Sequence, residues 1–309
     1  VLLSSLLMLT GCSRRELLDD YPVSGVDIKL DWNGVTDKLP EGVRVIFYPK
    51  SAEGRKIDTY LSVRGGKVKV PPGRYSVVAY NYDTETVQIR GEEAYETIEA
   101  FTGYCNGLGI AGTEKMVWGP DPLYVVQIND LHIANSEEEL LLDWKPKLVV
   151  KTYSFKIKVE GLEYVSSIVG SVKGMAGCYC LGRCCGKMND APIYFEAQGR
   201  SGEVTGRFTA FGLPEGAMSR ASLAIKFTLA FVKVDNTVQK IEVDITDVIV
   251  NSESGEGGGN DEPSKDIELP LDDDEVKVDK PENSSGGDGG IGGDVGDWGD
   301  GGEVVLPVN

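Results

Sequence analysis

The chain has 309 residues, 41% of them hydrophobic, with 39 glycines and a formal net charge of −18. That length holds about two domains of ordinary size, and the charge is unevenly placed: residues 252–309 carry 17 Asp and Glu against 3 Lys, which puts −14 of the −18 there and leaves about −4 for all that precedes. With an acidic tail and no basic stripe to displace phosphate counterions, nucleic acid is excluded as a partner.

Residues 1–9 are apolar and uncharged, far short of the ~20 residues a membrane-spanning helix needs, and read as the hydrophobic part of a signal peptide. Leu9-Thr10-Gly11-Cys12 follows and looks like a lipobox, in which small residues admit the signal peptidase and the cysteine thiol takes a diacylglycerol. Cys12 is therefore the expected lipidation site and first mature residue, with residues 13–22 as a polar tether. Each acyl CH₂ buried contributes about 0.8 kcal/mol, so two or more chains give a stable anchor. The expected partner of the N-terminus is a membrane.

From residue 26 the chain reads as β. Val26, Ile28, Leu30 and Trp32 alternate with polar residues, the period of a half-buried strand. Residues 43–48, 67–70 and 75–82 continue with β-branched and aromatic runs bounded by Gly and Pro, a pattern of short strands and tight turns. Long strands are expected over 122–133 and 146–159, and residues 137–142 fit a helical turn or a short strand. A short helix is expected over 164–172, then strands near 192–197, 203–211, 222–234 and 238–245. No strand–helix alternation appears, so the expected class is all-β with two antiparallel β-sandwich domains, 23–147 and 148–251. Residues 252–309 form a flexible acidic, Gly-rich tail in which 266–271, 275–278 and 303–308 are strand-like pieces, able to pair with the parent sheets or with another chain.

Several motifs invite a chemical reading. Gly107-Leu-Gly-Ile-Ala-Gly112 satisfies G-x-G-x-x-G, but no βαβ unit surrounds it, so it reads as a loop and no nucleotide or other cofactor is expected. Cys178, Cys180, Cys184 and Cys185 form C-x-C-x₃-C-C. That spacing suits ordinary strand or loop residues, a disulfide, or a soft metal, and Cys184 and Cys185 point to opposite faces if they lie on a strand. The single histidine, His132, falls in a strand-like stretch with no G-x-S-x-G elbow, and no catalytic set is expected. Gly289 to Asp297 nearly fits a calcium nonapeptide, and residues 272–275 are an acidic run. Both read as solvated linker, without a metal site.

An ordered series of segments carries a resemblance. Cys12 to Pro22, Leu30-Asp31-Trp32, the turn Val70-Pro71-Pro72-Gly73-Arg74-Tyr75, Tyr80 to Thr86, Ser171 to Gly177 and Gly206 to Gly212 are similar in order and spacing to a family of fimbrillin-like lipoproteins from Bacteroides-group bacteria. The resemblance spans about residues 12–250. It implies two transthyretin-like β-sandwiches, a place at the outer membrane on the cell surface, pilus subunits as partners, and assembly by strand addition, in which an unpaired sheet edge accepts a partner's strand. It also brings in Arg55 and Arg64 as candidate sites for a pilin-type processing protease. Arg14 and Arg15 depart from the acidic residues that usually follow the cysteine of surface-exported members, which leaves the periplasmic face open. The expected function is a pilus-associated or adhesive lipoprotein, not an enzyme. The alternative is a surface glycan-binding lipoprotein that uses Trp118 or Trp144 as a stacking platform.

Overall fold

A computed structural model describes residues 25–35, 38–105, 115–136, 138–188, 190–217, 223–254, 264–269 and 276–281. The first half forms β1 (Gly25–Leu30), β2 (Gly42–Pro49), β3 (Ile57–Ser62), β4 (Gly65–Lys69), β5 (Gly73–Asn81), β6 (Val87–Arg90), β7 (Glu99–Thr102), β8 (Tyr104–Cys105), β9 (Met116–Trp118), β10 (Tyr124–Ile133), β11 (Leu140–Trp144) and β12 (Lys147–Leu148). The second half forms β13 (Lys151–Glu160), β14 (Val165–Lys173), β15 (Ala176–Cys180), β16 (Cys185–Met188), β17 (Ile193–Arg200), β18 (Glu203–Ala210), β19 (Lys226–Lys233), β20 (Val238–Asp244), the helix α1 (Thr246–Ser254), β21 (Ser264–Asp266) and β22 (Val276–Lys277). The chain is all-β, as its alternation and turn chemistry predict.

The first sheet runs β11-β1-β4-β3-β2-β5-β10-β12 and is antiparallel apart from β1 and β11. Alternation in β1 sends Val26, Ile28 and Leu30 into a core with Val45, Phe47, Val77 and Trp144. The sheet curls far enough for Trp144, on its edge strand, to bring its ring centroid within 6.5 Å of that of Phe47. The β3–β4 hairpin depends on glycine: Gly65 has φ +96° and any Cβ there would sit 1.9 Å from the carbonyl oxygen of Ile28, a conformation and an approach that only glycine tolerates. In β2 and β5 the alternation fails, because Val45, Phe47, Val77 and Ala79 face one core while Ile46, Tyr48, Val78 and Tyr80 face another.

The second sheet runs β20-β19-β14-β17-β18-β13-β21, with β22 also on β13 and β9 also on β17. Its core is aromatic. Phe155 and Phe227 meet edge to face at 5.0 Å, and Phe195 stacks on Phe227 at 5.4 Å, arrangements that aromatic quadrupoles favour. Glycine makes room for them. Phe155 lies opposite Gly206 and Phe195 opposite Gly170, where a Cβ would come within 2.5 and 2.2 Å of the facing ring. The helix α1 closes one end by burying Ile249 beside Ile245, and its start is fixed by the Asp244 carboxylate, which accepts from the Thr246 backbone N–H at 2.9 Å.

A third sheet, β16-β15-β7-β6, takes two strands from each half. β7 is antiparallel to β15 through Phe101 opposite Cys178, Ala100 opposite Tyr179 and Glu99 opposite Cys180. It covers the back of the first sheet, so that Ile46, Tyr48, Val78, Ile98, Leu123, Val150, Ala176, Leu181 and Phe211 share one core. A second crossing joins the halves where β9 runs parallel to β17.

Two expectations are corrected and one left open is resolved. Residues 146–159 are not one strand: β12 belongs to the first sheet and β13 to the second, and the chain changes sheets at Val149 and Val150, where the Val149 N–H is tied to the Leu123 carbonyl. Residues 164–172 are not helical. A short 3-10 turn, Leu162–Tyr164, leads into β14, which is central between β17 and β19, and its Ile168, Val169 and Val172 gain more from burial between two strands than a lone helical turn offers. Of residues 137–142, open between a helical turn and a short strand, Leu140 to Leu142 are strand and pair along β1. In the tail, the strand-like pieces within 264–269 and 276–281 pair with the parent sheet on β13 and bury Ile267, Leu269 and Val278 in the second core.

Candidate functional site

One exposed feature that can meet a partner lies where the two halves touch. The short pair β8–β9 lies over the outer face of the second sheet, where Cys105 and Met116 pack with Val169, Tyr194 and Ala230. β9 follows β17 only through Val117 opposite Ile193 and Trp118 opposite Tyr194, whereas β18 joins β17 from Ala197 onward. The interval leaves an open cleft of about 290 Å³ lined by Trp118, Tyr194, Glu196, Arg207 and Thr209. Trp118 is 44% exposed, its ring held perpendicular to that of Tyr194 with centroids 5.6 Å apart. Its backbone is pinned by the Thr102 hydroxyl, which donates to the Trp118 carbonyl at 2.6 Å. The Tyr194 hydroxyl donates to Glu196 at 3.3 Å, and burial followed by the charge of Glu196 pushes that hydroxyl up to about 12. Tyr104, nearby on β8, is exposed with the Lys115 ammonium 5.5 Å from its ring centre. An aromatic face flanked by a carboxylate, a guanidinium and hydroxyls offers stacking and hydrogen bonds together.

A second feature is the edge of β13. β21 pairs with it at Thr152 to Ser154 and β22 at Val159 and Glu160, both parallel. The side chain of Gln239 on β20 donates to the Lys277 carbonyl at 2.7 Å and accepts from the Asp279 N–H at 3.0 Å. The tail thereby bridges the two ends of the second sheet, and where it pairs it shields an edge that would otherwise present free backbone groups.

The cysteines line the third sheet. Cross-strand pairing places Arg90, Glu99, Cys180 and Cys185 in one row across β6, β7, β15 and β16. Cys178 and Cys180 share that face, while Cys184 lies in the turn with φ +52° and directs its thiol to the Leu181 carbonyl. Burial pushes the Glu99 carboxyl upward, but hydrogen bonds from Arg90 at 2.5 Å and Lys187 at 3.3 Å outweigh it and hold the group below its ordinary value. All five described cysteines are free thiols, and among the described residues no group of three or more His, Cys, Asp or Glu side chains is placed to hold a metal.

The other residues singled out in the sequence are dispersed. His132 is exposed on β10 opposite Arg74. Arg55 and Arg64 are exposed, at a distance from the Trp118 cleft in sequence and sheet. Trp144 does not serve as a platform: it is 5% exposed and belongs to the first core, because its strand presents that face inward. Cys12, the glycine motif over 107–112, the acidic run 272–275 and the segment 289–297 lie outside the described residues. One polar cluster escaped the sequence reading. Arg44 on β2 is bidentate to Asp58, also binds Glu92 at 2.6 Å, and reaches the Tyr80 hydroxyl at 2.9 Å, beside the exposed pair Tyr60 and Tyr82. An arginine set in the apolar run of β2 was its only signal.

Residues 11–196 match the family described as "Domain of unknown function (DUF5119)". A Bacteroides ovatus protein named "Putative fimbrium anchoring subunit Fim4B" is 59% identical over 304 residues, covering 93% of this chain and 91% of its own. The crystal structure of a "putative adhesin" from Bacteroides ovatus superposes with a TM-score of 0.73 at 57% identity, covering 89% of this chain and 99% of that one. A Bacteroides thetaiotaomicron structure described among "putative polysaccharide binding proteins (DUF1812)" has a TM-score of 0.53 at 11% identity, covering 79% and 89%, and shares the fold alone.

The Glu99 site generates a pH-dependent expectation. A carboxyl held below its unfolded value stabilises the fold fully above that value and loses the contribution as pH falls through the folded one. Because Arg90 and Lys187 are half-exposed, screening keeps the effect small. Glu99→Gln should cost about 1 kcal/mol at pH 7 and less at pH 3, as read by urea unfolding at both pH values. An unchanged cost at pH 3 would contradict the assignment.

Proposed function

The chain belongs to the DUF5119 family, and we propose that it is a fimbrium-anchoring lipoprotein, held to the outer membrane by lipid on Cys12 and presenting its β body at the cell surface to pilus subunits. The observation that carries this reading is the 59% identity, sustained over 93% of the chain, to a protein named as a fimbrium anchoring subunit. Identity of that extent takes in both sheets and the third sheet that joins them. β1, which follows the tether in sequence, lies in the first sheet, and the Trp118 cleft lies where β9 meets β17 of the second sheet. The body on this reading spans from membrane attachment to partner. Tail residues that cap part of the β13 edge oppose indiscriminate self-pairing along it.

The test is protease shaving of intact cells expressing the full chain, with Cys12→Ala and a periplasmic marker as controls, followed by capture of co-purifying pilus subunits. The reading expects loss of the body from intact cells, release of the Cys12→Ala variant from the membrane fraction, and pilus subunits in the capture. A protected body, or membrane retention that ignores Cys12, would contradict it.

Glycan capture is the second reading, and one observation favours it: Trp118 stands exposed over a cleft that also holds Glu196, Arg207 and Thr209. On a glycan array it expects binding that Trp118→Ala weakens at least about tenfold, which corresponds to ~1.4 kcal/mol. Binding indifferent to that substitution would remove Trp118 from the role.

A further inference from the structure

We propose that Cys180 and Cys185 are a disulfide-forming pair that closes the β15–β16 hairpin where the two halves of the molecule meet. The two residues are direct partners in the antiparallel register. Direct partners on antiparallel strands have Cα atoms about 4.5 or 5.5 Å apart and side chains on one face, inside the ~4.4–6.8 Å that a disulfide spans. None of the other described cysteines has this relation to a second one. Cys178 faces Lys187 across the ladder and lies two residues from Cys180 along the strand, near 7 Å at a rise of about 3.4 Å per residue. Cys184 sits in the turn with its thiol on the Leu181 carbonyl, and Cys105 is in a separate cluster beneath Trp118.

The surroundings are asymmetric in a way that orders the chemistry. Cys180 is buried, with the Arg183 guanidinium 3.9 Å from its sulfur, and Cys185 is partly exposed with its thiol 3.3 Å from Glu215. Cys185 is the thiol that an external oxidant can reach; burial and the neighbouring Glu215 push it up to about 11, so it is its small thiolate fraction that attacks an external small-molecule or protein disulfide. One sulfur of that oxidant leaves and takes up a proton, giving a mixed disulfide on Cys185. Cys180 then attacks the Cys185 sulfur and expels the second sulfur of the oxidant. Two cysteine thiols are oxidised to one disulfide, the oxidant's disulfide is reduced to two thiols, and the two protons end on those thiols.

The consequence is local to the junction. The turn between the two cysteines inserts Leu181 fully into the shared core, its N–H donating to the Ile98 carbonyl at 3.0 Å. The Gln127 amide reaches the Gly182 carbonyl at 3.1 Å, and Gly182 lies so close to Tyr95 that a Cβ would be 2.0 Å from its carbonyl oxygen. A cross-link at the base of this turn fixes the element that docks one half on the other. The enclosed loop is short, so the gain lies in holding the turn and not in global loop-closure entropy.

The pairing is read from register alone and does not depend on the anchoring proposal, so its test uses purified full chain in solution. The protein is equilibrated with oxidised glutathione, alkylated without reduction, digested with trypsin and mapped by mass spectrometry. Cleavage after Lys173, Arg183 and Lys187 separates a peptide holding Cys178 and Cys180 from one holding Cys184 and Cys185. The expected result is these two peptides joined by one disulfide, with alkyl label on Cys178 and Cys184. The link persists in a Cys178→Ser/Cys184→Ser variant and disappears in Cys185→Ser. Label or glutathione on both Cys180 and Cys185, or a link made through Cys178 or Cys184, would overturn the proposal. The wild-type map alone suffices to decide if a variant does not fold.

Discussion

Backbone N–H and C=O groups that leave water must find partners, and in this chain β7 finds its second neighbour on the other half of the molecule. β7 has β6 on one side and β15 on the other, so a ladder begun by residues near 90–100 is completed by residues near 180. Everything that distinguishes the molecule from two independent sandwiches follows from that pairing. It brings Leu181 and Ala176 against Ile46, Val78 and Ile98 in a single core, and it explains why β2 and β5 are buried on both faces. It also sets the row of Arg90, Glu99, Cys180 and Cys185 across the outer face of the third sheet. Parting the two halves would expose that core and break the β7–β15 ladder at once.

The linker between halves is shaped by the same constraint. Val149 and Val150 pass directly from β12 into β13, and Val150 is 3% exposed within the shared core. A connection this short and this buried acts as a rigid joint, unlike the exposed polar linkers that let domains move. In the second half, aromatic rings lie over glycines on adjacent strands, which fills the core densely without pushing the strands apart. For a protein proposed to hold a fibre to a membrane, a body without a loose hinge is the arrangement that passes tension from one end to the other.

How far this was legible depended on sequence separation. β1, β18 and β20 announce themselves through alternation, because one face of each is more exposed than the other, and β5 and β10 through β-branched and aromatic runs bounded by Gly and Pro. The strands β6, β7, β8, β9, β15 and β16 have two to five residues each. They sit in Gly- and Cys-rich stretches, and draw stability from partners up to about 80 residues away, so no local period marks them. The segment 164–172 shows the opposite failure: Tyr164 to Val172 tolerates a helical reading until the flanking strands β17 and β19 are known. The cysteine spacing left a strand or loop role, a disulfide and a metal open, and only the register of β15 on β16 identifies the pair that meets. Of the two tryptophans proposed as platforms, sequence could not separate Trp118 from Trp144, since exposure is decided by how the first sheet curls.

The central claim is that the β7–β15 pairing makes the two halves one cooperative body. Native-state hydrogen exchange under increasing urea, followed by mass spectrometry on peptides from β2 and β5 of the first sheet and β14 and β19 of the second, tests it directly. The account predicts that the slowest amides of both sheets exchange with one opening free energy and one urea dependence. Two distinct values, with the first sheet opening while the second stays protected or the reverse, would contradict it.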